Sequence, residues 1–193
     1  MIKLTTEIPS KFYLALSGGV DSIVLYHFFL NGKKNFEVIH FDHNTNYGRS
    51  ARNLVEQLCI RNRVKCNTFV CPQKNGSEVE WSEWRNGIMQ AANMPVITGH
   101  HLNDSIESYL MRGSPISPVN GNILRPLVNC DKSSILDYAS NHNLIWLDDP
   151  SNEDSSYRRN KIRNELIPLM RECGINPVNL LKGCCDDKAK RNG

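Results

Sequence analysis

Residues 12–22 constrain the fold more than any other stretch. Residues 12–16 are a short apolar run that stops at Ser17-Gly18-Gly19, and a helix-like pattern then runs through Leu30 before Asn31-Gly32 breaks it. The same alternation recurs downstream. Residues 36–41, 66–71 and 95–98 read as strands, and 50–63, 77–93 and 103–112 as helices, with Leu54, Val55, Leu58 and Cys59 on one face of the second helix. The Pro/Gly-rich stretch 113–122 reads as a loop, 123–128 as a short extended piece, and 132–142 and 157–172 as helices, with Pro168 expected to kink or shorten the last. Strands alternating with helices predict an α/β fold, a parallel twisted sheet with helices on both faces. In such sheets ligands bind at the carboxyl ends of the strands.

The first strand end carries Ser17-Gly18-Gly19-Val20-Asp21-Ser22. Glycines at a strand-to-helix turn allow backbone geometries that side chains would block, so successive N–H groups can converge on an anion. The helix N-terminus adds favourable partial charge, and Ser17 and Ser22 add hydroxyl donors. Asp21 is the odd member of an anion nest, and it makes sense as the holder of a Mg²⁺ ion bound to phosphate oxygens. The competing reading is a Gly-Gly turn with an Asp-Ser helix cap. The motif contains no lysine, so it is not the GxxxxGK[ST] loop.

A second group follows the fourth strand. If the helix there includes residues 100–107, His100, Asp104 and Glu107 fall at i, i+4 and i+7 on one face, with Ile106 and Leu110 on the flank, suited to burial against the sheet. Clustered acids at the mouth of a phosphate site can ligate Mg²⁺, receive an amine or take its proton; a capped, solvated helix start is the alternative. His40 and His43 end the second strand, where nothing completes a zinc set and contacts to a nucleotide are the better use. Around residue 150, Asp154 or Ser155 is expected to cap the next helix, on which Arg159 and Arg163 share a face suited to phosphate while Ile162, Leu166 and Leu169 pack inward.

Composition narrows the class. The 193 residues, 40% of them apolar, suffice for one ordinary domain and contain no run approaching the roughly 18 apolar residues of a membrane span. The N-terminus lacks the pattern of a secretory signal, and seven cysteines without a repeating frame suggest reduced thiols, so a cytoplasmic location is expected. Residues 157–193 hold nine Lys/Arg against four Asp/Glu on an otherwise near-neutral chain, as phosphate-backbone binding would need, although a solvated tail would look the same.

The hexapeptide resembles the PP-loop of the ATP pyrophosphatase superfamily. Further segments extend the resemblance: His40-Phe41-Asp42-His43, the Arg85 helix, residues 99–108, Met111-Arg112-Gly113, Leu124-Arg125-Pro126-Leu127, and Asp149-Pro150-Ser151-Asn152 with Arg159-Asn160, Ile162 and Arg163. Over about residues 12–170 the chain is similar to the catalytic domain of the tRNA(Ile)-lysidine synthetase family. The resemblance implies a Rossmann-like PP-loop fold (adenine nucleotide alpha hydrolase-like) over 1–175, followed by a basic tail over 176–193. It implies a ligase that adenylates C2 of the wobble cytidine of a CAU-anticodon tRNA(Ile), then attaches L-lysine to give lysidine, releasing AMP and pyrophosphate. ATP would bind Ser17, Gly18, Gly19, Val20, Asp21, Ser22 and His40. Asp21, His100, Asp104 and Glu107 would be catalytic, Asp21 and Asp104 would hold Mg²⁺, and Arg85, Arg159 and Arg163 would meet tRNA or phosphates. A second copy of the chain stands as a candidate partner.

This chain departs from the family where Asn103-Asp104 replaces two aspartates, Ser105 a glutamine and Ser108 a threonine. Members usually carry further C-terminal domains that grip the tRNA body, so the basic tail is expected to do that job or the chain to be a short form. A PP-loop tRNA thiolase is an alternative, although Cys66 and Cys71 lie four residues apart and Cys184-Cys185 adjoin, neither giving the paired motif such enzymes use. A non-catalytic tRNA- or nucleotide-binding relic is the other, and retention of Asp21, Asp104 and Glu107 speaks against it.

Overall fold

The structure, a computed structural model, describes residues 2–72 and 76–181, apart from the Glu78 side chain. It divides into two compact units, the first drawn from residues 2–101 and 117–149, the second from 102–116 and 150–181.

The first unit is the expected parallel sheet. Strands β1 (Lys11–Ala15), β2 (Asn35–Asp42), β3 (Cys66–Val70), β4 (Val96–Ile97), β5 (Val119–Asn120) and β6 (Ile123–Leu124) lie in the order β3-β2-β1-β4-β6-β5, all parallel except β5 against β6. β1 buries Phe12 and Leu14 on one face, where they meet α1 (Val20–Asn31), α2 (Asn46–Asn62) and α5 (Lys132–Asn141) through Ile23, Phe29, Val55, Cys59, Ile135 and Ala139. The Phe12 ring meets Phe29 edge-on at 4.9 Å and stacks on Phe36 at 5.7 Å. The other face packs Ile39, Val96 and Ile123 on Met89 and Ala92, from and just beyond α3 (Glu78–Ala91). Strand order reverses between β1's neighbours, β2 and β4, which puts the switch-point crevice at the carboxyl ends of β1 and β4.

Three local expectations change. α2 starts at Asn46 rather than residue 50, because Thr45 Oγ1 accepts the Gly48 N–H at 2.9 Å and caps an extra turn. The loop over 113–122 contains edge strand β5. The extended piece over 123–128 ends at Leu124, after which turns carry buried Leu127 and Val128 back, with Val128 N–H donating to Arg125 and Cys130 N–H to Leu127.

The second unit holds α4 (Leu102–Arg112), a 3₁₀ turn (Pro150–Glu153), α6 (Arg158–Lys161), a π turn (Ile162–Leu166), α7 (Ile167–Glu172) and a helical stretch over 177–181. Pro168 does not end the helix. Its ring would clash with the Asn164 carbonyl in a regular turn, and the wider π turn, closed by Ile167 N–H to Ile162 O, takes up the conflict. The extra residue shifts the buried stripe. Ile162 and Ile167 face inward, while Leu166 and Leu169, expected in the core, are 40% and 55% exposed. Ile106 packs with Ile162, Ile167 and Leu181, with Leu110 against that cluster, so both serve the core of this unit. Neither Asp154 nor Ser155 caps α6. Tyr157 precedes it without a side-chain cap, and Asp154 Oδ1 instead accepts the Ser156 N–H at 2.9 Å. Of the basic tail expected over 176–193, residues 182–193 lie outside the described residues, as do Cys184 and Cys185. No helix among the described residues is long and apolar enough to cross a membrane.

Candidate active site

In the first unit the glycine turn is built as the sequence suggests. Gly18 has φ +90°, a conformation L side chains rarely adopt, and Gly19 stands at the N-cap of α1 with no side chain capping the first turn. Ser17 and Ser22 brace the loop. Ser22 Oγ donates to Gly19 O at 2.9 Å and accepts the Ser17 N–H at 3.1 Å, and the two hydroxyls share a hydrogen bond of 3.0 Å. Val20 is buried and anchors α1, and Gly18 O accepts the Leu147 N–H at 3.0 Å. Uncapped N–H groups at a helix start suit an anion.

Asp21, in the first turn of α1, is met from two sides. Lys132 Nζ, from the start of α5, donates to its Oδ1 at 2.6 Å, and His101 Nε2 lies 3.5 Å from the same oxygen. The β4 loop reaches Asp21 because residue 99 is glycine: a Cβ there would sit 3.2 Å from Asp21 C and Cβ and from Ser22 N. Sequence reasoning missed Lys132, His101 and Gly99. Lys132 lies 111 residues from Asp21, and no periodicity links the two.

His100 is not on the α4 face. The helix begins only at Leu102, and His100 Nδ1 pairs with Thr98 Oγ1 at 2.8 Å, so the i, i+4, i+7 grouping with Asp104 and Glu107 fails. His40 is 1% exposed, with Nδ1 held by Leu16 O at 2.8 Å and Nε2 buried without a hydrogen-bond partner; burial lowers its pKa. His43 lies against Trp81 at 4.9 Å and Trp84 at 6.0 Å. Burial first, then the nearby Arg85 guanidinium, lowers its pKa to about 4. That proximity puts Arg85 at the end of β2.

Asp21 suits a magnesium ion as a single hard-oxygen ligand that leaves the rest of the coordination shell to phosphates and water. Among the described residues no group of three or more His, Cys, Asp or Glu forms a protein cage.

The second unit gathers four charges that the sequence had assigned to separate tasks. Glu107, 1% exposed, receives Arg159 Nε at 2.6 Å on Oε2, Arg163 Nε at 2.6 Å on Oε1 and Arg163 Nη2 at 2.9 Å on Oε2. Asp104 Oδ1 accepts Arg159 Nη2 at 2.6 Å and lies 3.6 Å from Arg163 Nη2. Two carboxylates and two guanidiniums balance, which is how buried charge is tolerated. Buried Asn160 donates to Ser151 O at 2.6 Å and Asp154 O at 3.0 Å, tying the Pro150-Ser151-Asn152 turn to α6 and setting the register of both arginines. Ser105 and Ser108, where the sequence departs from the family, take the Ile116 N–H and donate to Ser114 O.

A glycine turn at the switch point, feeding an uncapped helix, defines a class. The chain belongs to the ATP-binding PP-loop domain family, whose model matches residues 3–170. Among curated proteins it is 31% identical to the tRNA(Ile)-lysidine synthase of Aster yellows witches'-broom phytoplasma over 88% of this chain and 44% of that one. It is 33% identical to the synthase so named of Actinobacillus pleuropneumoniae over 84% and 43%, and 31% identical to that of Wigglesworthia glossinidia brevipalpis over 98% and 57%. The chain thus spans about half the length of these relatives. Among solved structures, the U34-tRNA thiolase NcsA of Methanococcus maripaludis shares the fold with a TM-score of 0.71 at 14% identity, over 94% of this chain and 71% of that one. The NH3-dependent NAD synthetase of Campylobacter jejuni gives 0.53 at 15%, over 97% and 88%.

Proposed function

We propose that this chain is the ATP-using catalytic portion of a tRNA(Ile)-lysidine synthase. The observation that carries the reading is that about 30% identity to curated synthases of that name extends over most of the chain, 88% of it in one relative and 98% in another. The Gly18-Gly19 turn and the first turn of α1 cradle the nucleotide's phosphates, and Ser17 and Ser22 hold the loop in shape. Mg²⁺, held by Asp21, would neutralise charge on the pyrophosphate, and Asp104 is proposed for the amine. ATP adenylates C2 of the wobble cytidine and pyrophosphate leaves. The lysine ε-amine then attacks that carbon and displaces AMP. Asp104, more exposed than Glu107 at 10% against 1% of the side chain, receives the lysine ammonium and takes its proton, while Glu107 anchors the arginines. Arg85 joins Arg159 and Arg163, the latter two about a third exposed, in meeting phosphates or the anticodon loop, and His100 lies beside the adenylate. The target base would be splayed out of its loop to be adenylated.

The test is to incubate the chain with ATP, Mg²⁺, labelled lysine and unmodified CAU-anticodon tRNA, then to read the wobble nucleoside by mass. Lysidine with AMP release is the expected result. Sulfur incorporation would point to a thiolase, and nucleotide binding without turnover to a binding relic.

A further inference from the structure

The turn that should hold a triphosphate carries no lysine of its own, yet the fold places one beside it. Lys132 comes from the start of α5, between Cys130-Asp131 and Ser133, and its Nζ donates at 2.6 Å to the Asp21 carboxylate two residues past Gly19. Other pairs in the same unit lie elsewhere, with Lys11 and Lys65 on Glu37 and Arg52 on Glu56. Both partners at the turn are partly open to water, Lys132 at 31% and Asp21 at 27% of the side chain. A screened pair of this kind is weak and costs little to break. An ammonium on a flexible stem gains more from a phosphate oxygen, where its hydrogen bond is charge-assisted on both sides. Asp21 does not lose every partner when Lys132 moves, because His101 Nε2 stays 3.5 Å from the same oxygen.

We infer that Lys132 is a phosphate-binding residue of the nucleotide site, which exchanges the Asp21 carboxylate for the pyrophosphate end of the nucleotide and so frees Asp21 for a divalent cation. This rests on the ATP-binding reading of the turn. Lys132 and the cation compete for the Asp21 carboxylate only while the phosphates are absent, so in the nucleotide-free chain removing the lysine must act in opposite directions on phosphate and on cation. It weakens the grip on phosphates and eases the binding of the cation.

The experiment compares wild type, Lys132→Met and Lys132→Arg by calorimetry with ATP, pyrophosphate and AMP, first in chelator and then across a Mg²⁺ titration. In chelator, Lys132→Met should bind ATP and pyrophosphate about 10- to 100-fold more weakly, the loss of one charge-assisted bond, and AMP as wild type does. Without nucleotide, Lys132→Met should bind Mg²⁺ with a lower half-saturating concentration than wild type, and Lys132→Arg should keep most of the affinity for ATP. Unchanged pyrophosphate affinity in Lys132→Met would remove the residue from the site while leaving the nucleotide reading intact. Equal losses for AMP and ATP would assign Lys132 a structural role and overturn the proposal. A wild type that binds neither ATP nor pyrophosphate would overturn the nucleotide reading, and this proposal with it.

Discussion

Replacing Glu107 by glutamine tests the four-charge cluster most directly. The change keeps the shape of the side chain and removes one of two negative charges facing two guanidiniums. Glu107 is 1% exposed and accepts three bonds of 2.6–2.9 Å, so water cannot replace what is lost on its side. The glutamine NH₂ would also point a donor at a guanidinium donor. Removing one partner of a buried pair costs about 3–5 kcal/mol. The arginines are 32% and 34% exposed and recover part of this from solvent, which leaves about 2–4 kcal/mol. Amide hydrogen exchange in α4 reads this locally, and exchange there should speed up about 30- to 1000-fold. A double-mutant cycle with Arg163→Met should return a coupling of about 1–3 kcal/mol, because the second change removes the charge that the first leaves unpaired. A loss below about 0.5 kcal/mol in Glu107→Gln, or a coupling near zero, would refute the view that this carboxylate anchors the arginines.

The π turn makes a register prediction: Ile167→Ala should cost about 2–4 kcal/mol in urea unfolding, and Leu166→Ala or Leu169→Ala less than about 0.5 kcal/mol. Gly99→Ala places a methyl 3.2 Å from the Asp21 backbone, which cannot yield as a flexible side chain would; ATP affinity by calorimetry should drop at least about tenfold with folding retained. His43 is held neutral in the folded chain, its pKa near 4 against 6.5 unfolded. The unfolded state therefore binds more protons between those values, and the stability contribution, full above pH 6.5, is lost as pH falls toward 4. His43→Phe keeps a ring against Trp81, and its stability curve should fall less steeply than wild type over that window.

The parallel sheet and the turn at residues 17–22 were legible because each rests on neighbours in sequence. An apolar run, two glycines and a helical period are local signals, and Gly18 at φ +90° confirms the reason a glycine stands there. The helix through Pro168 was half legible. Proline forbids a regular turn, but whether a chain stops, kinks or widens depends on what the next turn packs against, and here Ile167 joining Ile106 and Ile162 favours the π turn. His100 was misplaced for a similar reason. Helical spacing can be counted from any residue, whereas the helix starts only at Leu102, after His100 has turned to pair with Thr98.

By itself, the sequence determined the class of fold, the place of the phosphate turn in it, and a set of charged residues worth watching. Tertiary structure alone decided which charges meet. It put Lys132 on Asp21, and it set Arg159 and Arg163 on Glu107 and Asp104. The physical reason is range. Backbone conformation and periodicity act over a few residues, while the energy of a carboxylate depends on whatever cation the fold carries to it, here from 52 to 111 positions away.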